Sequence, residues 1–550
     1  MGKLTKKRIL TVNDFSGLNT GYSIYGKELL TRLHNSGKYE VAEMACYCDT
    51  ANPAIKDIPW KVYPNAVQAN DPRQEQYKSN NINQFGLWRF NRCLADFKPH
   101  IVFDIRDYWM FAYQEASPYK KHFNWVIMPA TDSAPPKNDW LFTFSNADVV
   151  IPYTEWAKQT LLKSCGNKIN LFPQIANAGI NPEEFYPIVD KKAHKIKHLG
   201  DDYNIIGTVM RNQKRKLIPD LVLAFKKYLE ALKANNQIEL CNKTYLYLHT
   251  SYPEDNGWDI PSILLEYGVL DKALFTYHCR HCKKFFPSKF HNGLAMCKSC
   301  GNHTATVSSP VHGISTRDLN DIYNLFDLYI QYAICEGFGM PQVEAAACGV
   351  QIASVDYSAM SEVCESLKGI KIPVIRMFRE METNADRAYP DIDATTNIMY
   401  NFFVNTDQTI RLDNSTKIRQ ACISKYTWDH VYAVWDACFD SIDIKSKVAW
   451  DSPNVKQAQH SSMKVPSGLN SKEFIEYICH NVINEPSLIN TAHIQVLIRD
   501  AVSGLVARNG SIMSLTKQNI VEALEGHLNN KIVYETMRTH PDSIKKEDFL

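Results

Sequence analysis

Residues 336–350 read EGFGMPQVEAAACGV, and the order of residue types in this stretch decides the fold of the chain around it. Pro341 cannot donate to a backbone ladder and suits the first turn of a helix, so Glu336 to Gly339 form the loop that enters that helix. Such a loop turns free N–H groups outward at the positive end of a helix dipole, which makes a ready anion site. Gly337 and Gly339 let backbone approach a ligand closely. Ala345, Ala346 and Ala347 seat the helix tightly on a sheet. Glu336 in the loop and Glu344 on the helix are then two carboxylates eight residues apart.

Upstream, LNDIYNLF (319–326) reads as a helix and DLYIQYA (327–333) as a strand. NIIGTVM (204–210) and KTYLYLHT (243–250) are further strands, separated by the helical LIPDLVLAFKKYLEAL (217–232). Strands that are apolar throughout and alternate with helices imply a parallel sheet covered on both faces. The same pattern fills the first 187 residues, with strands at RILTV (8–12), YEVAEMACY (39–47), HIVFDI (100–105), NWVIMP (124–129) and DVVIPY (148–153). A helix starting near Tyr22 carries Leu29, Leu30 and Leu33 on one face, with Gly37 shortly past its end. Two successive α/β domains follow, 1–187 and 188–445, with a cleft at the carboxyl ends of their strands. Beyond them, 446–470 is a polar linker and 471–550 a small helical appendage. In that appendage Ile520, Leu524 and Leu528 recur at helical spacing, and Ser471 and Thr516 suit N-caps.

A glutamate, a Gly-Phe-Gly loop, a proline and a second glutamate at this spacing resemble the signature of the retaining GT-B glycosyltransferases, which include glycogen synthases, sucrose synthases and bacterial mannosyltransferases. The resemblance implies an α/β fold of the GT-B type, two Rossmann-like domains facing a cleft. It implies that Glu344 holds the ribose hydroxyls of a nucleotide and that Glu336 contacts the donor sugar. The amides of Gly337, Phe338, Gly339 and Met340 then serve the sugar and phosphates. NIIGTVM followed by RNQKRK is similar to the family's strand that ends in an arginine with a lysine several residues on, so Arg211 and Lys216 are expected to clamp the diphosphate. Lys214 and Arg215 lie in the same run, where one lysine normally suffices.

In the first domain, SGLNTGYSIYG (16–26) follows the first strand, and Gly17 and Gly21 permit a tight turn there. Its spacing is not a dinucleotide fingerprint. The resemblance makes this loop a neighbour of the donor phosphates and acceptor. MPATDSAPP (128–136) resembles the segment where a His or Asp reaches the reacting sugar, which places Asp132 there to orient a hydroxyl. The alternative is Asp132 as an ordinary turn residue before Pro135-Pro136. NAGINPEEFYP (177–187) is similar to the family's interdomain loop, and YTWDHVYAVWDACF (426–439) to the helix that crosses back to the first domain. The implied reaction is transfer of a sugar, with retention, from a nucleotide-sugar donor (a UDP-sugar before others) to a hydroxyl of a glycan, lipid or protein. No catalytic metal is expected, and no pyridoxal phosphate lysine motif of the kind a phosphorylase carries is found.

Residues 278–306 interrupt the second domain. Cys279 and Cys282, then Cys297 and Cys300, are two C-x2-C knuckles separated by fourteen residues, a spacing that lets four thiolates converge on a structural Zn²⁺ as in zinc ribbons. Between Cys279 and Ser308 there is no Asp or Glu, while Arg280, Lys283, Lys284, Lys289 and Lys298 are basic. Even after the charge of a four-thiolate zinc site the ribbon keeps about +3. With Phe285, Phe286 and Phe290 interleaved, this suggests a nucleic-acid or other polyanionic partner, and hence a second reading in which the acceptor is a hydroxylated base in DNA. The plainer reading is a metal-stapled insert whose phenylalanines form its own core.

Composition narrows the class. Lys plus Arg (61) nearly balances Asp plus Glu (59), so no global field draws the chain onto a polyanion. No apolar run reaches the roughly 20 residues of a membrane span. MGKLTKKRILTV lacks the long apolar region of a signal peptide, and Lys6 stands where myristoylation needs Ser or Thr. Fifteen cysteines without export signals point to a cytoplasmic, reducing setting. A third reading, a non-catalytic binding protein on the same fold, is opposed by the presence together of Glu336, Glu344, Arg211 and Lys216.

Overall fold

The computed structural model describes residues 6–525 except 118, 310–312, 446–449, 451–463, 484–485, 490–493, 496, 499–500 and 503–514. Six parallel strands make the first sheet: β1 (Lys7–Asp14), β2 (Tyr39–Cys46), β3 (Lys61–Pro64), β4 (Ile101–Asp104), β5 (Asn124–Ile127) and β6 (Val149–Val150), in the order β3-β2-β1-β4-β5-β6. Successive residues of a strand point to opposite faces. On β1, Ile9 therefore packs with Leu29, Leu30 and Leu33 of the helix Gly21–Asn35. Leu10 and Val12 pack on the other face with Phe90 and Leu94 of the helix Phe90–Phe97. Burial on both faces explains why these strands read as unbroken apolar runs.

The second sheet repeats the order. Its parallel part comprises β7 (Asn204–Val209), β8 (Thr244–His249), β9 (Ala273–Cys279), then β13 (Leu328–Gln331), β14 (Gln351–Val355) and β15 (Ile370–Ile372), arranged β9-β8-β7-β13-β14-β15. In each sheet the order reverses beside its first strand, which opens a crevice at the carboxyl ends. Between β9 and β13 the insert adds β10 (Phe285–Ser288), β11 (Ala295–Met296) and β12 (His303–Val307), of which β10 and β12 pair antiparallel with β9. The insert is thus welded to the sheet edge, and its first cysteine is the last residue of β9.

A hairpin that the sequence reading did not expect, β16 (Val374–Arg379) and β17 (Asp386–Pro390), leaves the second domain and reaches the first. The Asp386 N–H donates to the Ala134 carbonyl at 2.7 Å, and the Lys137 ammonium donates to the Glu382 carbonyl. The helix Trp428–Ser441 crosses back as expected. Trp435 Nε1 donates to the Tyr25 hydroxyl at 2.8 Å, Tyr25 donates to the Ala176 carbonyl at 3.1 Å, and Trp428 meets the Tyr25 ring edge-on at 5.3 Å. One apolar cluster consequently runs through both domains.

Past the polar stretch, a separate small core gathers Phe474, Ile478, Val482, Val521 and Leu524. Thr516 caps its helix, accepting from the Asn519 N–H at 3.1 Å. At the other helix Asn470 rather than Ser471 is the cap, in a reciprocal box with Glu473. The box satisfies two backbone donors at once, which Ser471 one residue later cannot do. Most of the linker 446–470, and the appendage beyond residue 525 with Leu528, lie outside the described residues. No described helix is long and apolar enough to cross a membrane.

Candidate active site

Strand β13 ends at Gln331, and the chain then loops to the helix Met340–Ala347 with Pro341 in its first turn. Gly339 takes φ +87°, and a Cβ there would stand 2.9 Å from Gln342 Nε2, so the loop needs glycine at this position. Gln342 Nε2 donates to the Phe338 carbonyl at 2.9 Å and fixes the turn. The Phe338 ring stacks on Tyr153 of the first domain at 5.3 Å, and a Cβ on Gly337 would touch Ala130 at 3.7 Å. The glutamate loop therefore lies against the first domain.

Glu336 is the centre of the charged cluster. Its carboxylate accepts from Lys216, from Arg215 at 3.0 Å and from Gln331 Nε2 at 3.2 Å. Burial works against the charge, but Arg215 and Lys216 outweigh it and hold the group down at about 2. Lys216, buried beside the Arg215 cation, is pushed below the ordinary lysine value. Both cations come from a single turn, 214–216, that follows β7 across the crevice from Glu336. Arg211 points elsewhere: it pairs with Glu254 and its side chain is 58% exposed. The structure thus sets Lys216 with Arg215 at the glutamate and leaves Arg211 at the rim. The sequence pattern could not separate neighbouring basic residues in one turn.

Glu344 faces inward from the same helix as a buried acid. Burial raises it to about 7, although the Tyr323 hydroxyl donates to it at 2.6 Å. In the first domain Asp132 accepts from Arg387 at 3.1 Å and from the Cys335 thiol at 3.3 Å. Arg387 sits on β17 and also bonds Glu380, so the hairpin ties Asp132 to the residue preceding Glu336. Gly21 opens the helix Gly21–Asn35, and a Cβ on it would lie 3.8 Å from Met340 Sδ, so the glycine-rich loop faces the glutamate loop directly. Gly17 makes the turn beside Phe15, whose ring a Cβ would meet at 2.5 Å.

Sequence reasoning missed Asp107. It follows β4 as Asp132 follows β5, and that position at a strand's carboxyl end was the available signal. Burial first, then the charge of Asp132, raise it to about 7, opposed by a hydrogen bond from Tyr22 and by the Arg215 charge. Arg387 and Tyr323 carried no sequence signal of their own.

The four cysteines of the insert converge as expected. All four Sγ atoms lie within 4.8 Å of one another, with Cys279–Cys300 at 3.7 Å and Cys282–Cys297 at 3.6 Å. A tetrahedron of ~2.3 Å Zn–S bonds has edges of about 3.8 Å, so the donor set fits a structural Zn²⁺. Phe285 stacks on His198 at 5.4 Å, Phe286 on Tyr277 at 5.8 Å, and Phe290 packs edge-on against Tyr252 at 5.6 Å and Phe275 at 5.8 Å. These rings anchor the ribbon to its own domain and are not free platforms for bases.

No protein-family model matches the sequence, and no curated protein matches it by sequence. Solved structures do match. Sucrose-phosphate synthase from Thermosynechococcus elongatus superposes with a TM-score of 0.56 at 16% identity, over 79% of this chain and 98% of that one. The Anabaena protein HepE in complex with UDP-glucose gives 0.55 at 11% identity, over 79% and 100%. A glycosyltransferase from Rickettsia africae gives 0.53 at 12%, over 79% and 98%. At such identities the likeness is one of fold: this chain has the GT-B architecture, two parallel sheets around a cleft, with a cysteine-cornered insert in the second.

Proposed function

We propose that the protein is a retaining glycosyltransferase that moves a sugar from a nucleotide-sugar, a UDP-sugar before others, onto an acceptor hydroxyl. The observation that carries this reading is the buried Glu336 with Arg215 and Lys216 across the crevice, on a loop whose helix also presents Glu344. HepE, of the same fold, holds UDP-glucose, which supports the donor class.

In the proposed reaction the C1–O bond to the diphosphate breaks as the acceptor oxygen approaches C1 from the same face. The departing phosphate oxygen takes the acceptor proton. Arg215 and Lys216 neutralise the charge that develops on the diphosphate, with the loop amides of Gly337 to Met340 beside them, and Arg211 can swing in from Glu254. Glu336, ionised at neutral pH, cannot serve as an acid. It accepts hydrogen bonds from sugar hydroxyls and faces the positive charge growing on the ring. Glu344 accepts from the ribose hydroxyls, and Asp132 and Asp107 border the acceptor side. Cys279, Cys282, Cys297 and Cys300 would hold a structural Zn²⁺, which would serve folding rather than the reaction.

Donor binding tests the site. UDP and UDP-glucose should raise the melting temperature in proportion to the logarithm of their concentration, and Glu344→Ala should remove that shift. NMR of the first-formed product should show the donor's anomeric configuration. An inverted product would overturn retention, and no shift with any UDP-, GDP- or ADP-sugar would overturn the donor site.

A further inference from the structure

The first-domain wall of the cleft differs in character from the donor side. Four segments leave the carboxyl ends of β1, β2, β4 and β5: 14–20, 47–52, 105–110 and 128–136. They carry Asp14, Asp49, Asp107 and Asp132 against a single cation, Arg106. That cation is wholly buried and bonded to Asp104 at 2.5 Å, so it offers no charge to a ligand. An acidic wall repels phosphates and nucleic acid and accepts hydrogen bonds from hydroxyls.

Two aromatic rings stand open on the same wall. Trp109, two residues past Asp107, is 48% exposed and leans on Trp140 at 6.5 Å. Tyr47, just past β2, is 41% exposed and sits at φ +63°, a left-handed conformation that a non-glycine residue adopts only when its surroundings hold it there. Between these features lies Asp14. It is 5% exposed, its Oδ2 accepts from Thr20 at 2.7 Å, and its Oδ1 has no partner. A buried acceptor left unpaired is costly, so one at a cleft floor marks where a ligand donor or a water fits. Asp14 is the last residue of β1, which lies between β2 and β4, the strands that Tyr47 and Trp109 follow, and its charge acts on Tyr47.

We propose that this wall binds a neutral carbohydrate as the acceptor, its ring packed on Trp109 and Tyr47 and its hydroxyls donating to Asp14 and Asp107. The inference rests on the glycosyltransferase reading and narrows it. Open aromatic faces suit the apolar face of a sugar ring, the free Asp14 oxygen suits one of its hydroxyls, and the excess of acids over cations in these four segments disfavours phosphorylated sugars and DNA. The basic ribbon belongs to the other domain and to a different surface chemistry.

The experiment offers the protein labelled UDP-glucose, GDP-glucose and ADP-glucose, first alone and then with maltose, cellobiose or chitobiose, or with glucose 6-phosphate or a hydroxymethylcytosine duplex. At least one neutral sugar should take up label, and the two anionic acceptors should not. Trp109→Ala should raise the acceptor KM at least tenfold with less than a threefold fall in kcat, and Trp109→Phe should recover most of that loss. Donor hydrolysis without label on any neutral sugar, label on the phosphorylated sugar or the duplex, or an unchanged KM in Trp109→Ala would each overturn the acceptor assignment alone. The absence of hydrolysis from every donor would instead overturn the glycosyltransferase reading beneath it.

Discussion

Replacing Lys216 by methionine keeps the length and apolar stem of the side chain and deletes one of the two cations on Glu336. A carboxyl brought from 4.5 to about 2 favours its ionised form by about 3 kcal/mol, at roughly 1.4 kcal/mol per tenfold. Arg215 and Lys216 share that stabilisation, and methionine also relieves the burial of an ammonium. The net loss should therefore be about 1–2 kcal/mol rather than the 3–5 kcal/mol expected when a buried charge loses its only partner. In a domain of this size that is roughly 2–8 °C of melting temperature. The sign follows from a depressed acid: its contribution is present above pH 4.5 and is lost as pH falls through 2. The gap between wild type and variant should accordingly be full at pH 7 and close towards pH 2. Nucleotide release from the preferred donor should fall about 10²–10³-fold, the usual cost of one charge-stabilising group. Thermal scans from pH 7 to pH 3, run beside the release assay, read both effects. An unchanged melting temperature at pH 7, a gap that does not narrow with acid, or release within threefold of wild type would refute the reasoning.

Glu344 carries the opposite sign, since burial raises it to about 7. Its neutral form is stable in the fold, so stability is full below about pH 4.5 and declines as pH rises through 7. Glu344→Gln should melt with wild type at pH 5 and above it at pH 8.5, while the donor KM rises about tenfold; a pH-independent difference would count against the assignment. The ribbon should contain one zinc per chain by elemental analysis, and Cys297→Ser should lose the metal and melt at lower temperature, because β10 and β12 are paired to the edge of the main sheet. Metal-free protein recovered from zinc-replete growth would remove the zinc site.

Much of the frame was legible because its strands are buried on both faces. Apolar runs such as NIIGTVM and KTYLYLHT show as strands with little ambiguity, and the structure places β7 and β8 there within a residue at each end. The C-x2-C knuckles were legible for a different reason, since ligand spacing is itself geometry. The hairpin 374–390 was not legible. Its exposed strand carries Ile375, Arg376 and Met377 outward, so neither an apolar run nor a clean alternation marks it. At the site, Glu336, Glu344 and Lys216 were singled out because their order around one loop and one strand end resembles the GT-B signature, and the structure sets Lys216 on Glu336. Arg215 was left open because a run with four basic residues, 211–216, shows only in three dimensions which of them face the glutamate. Asp107, just past β4, and Tyr22, on the helix that follows β1, come from distant parts of the chain, and their coupling exists only after folding. The ribbon's phenylalanines read more readily as a core than as a binding face, and their packing against Tyr277, Tyr252 and His198 agrees with the core reading.

The central claim is tested most directly by nucleotide release from a panel of UDP-, GDP- and ADP-sugars, with wild type and Glu336→Ala in parallel. The account predicts slow release from one donor, a UDP-sugar before the others, reduced at least a hundredfold in Glu336→Ala while the variant remains folded. Equal release by both proteins, or none by wild type together with no donor-induced rise in melting temperature, would contradict it.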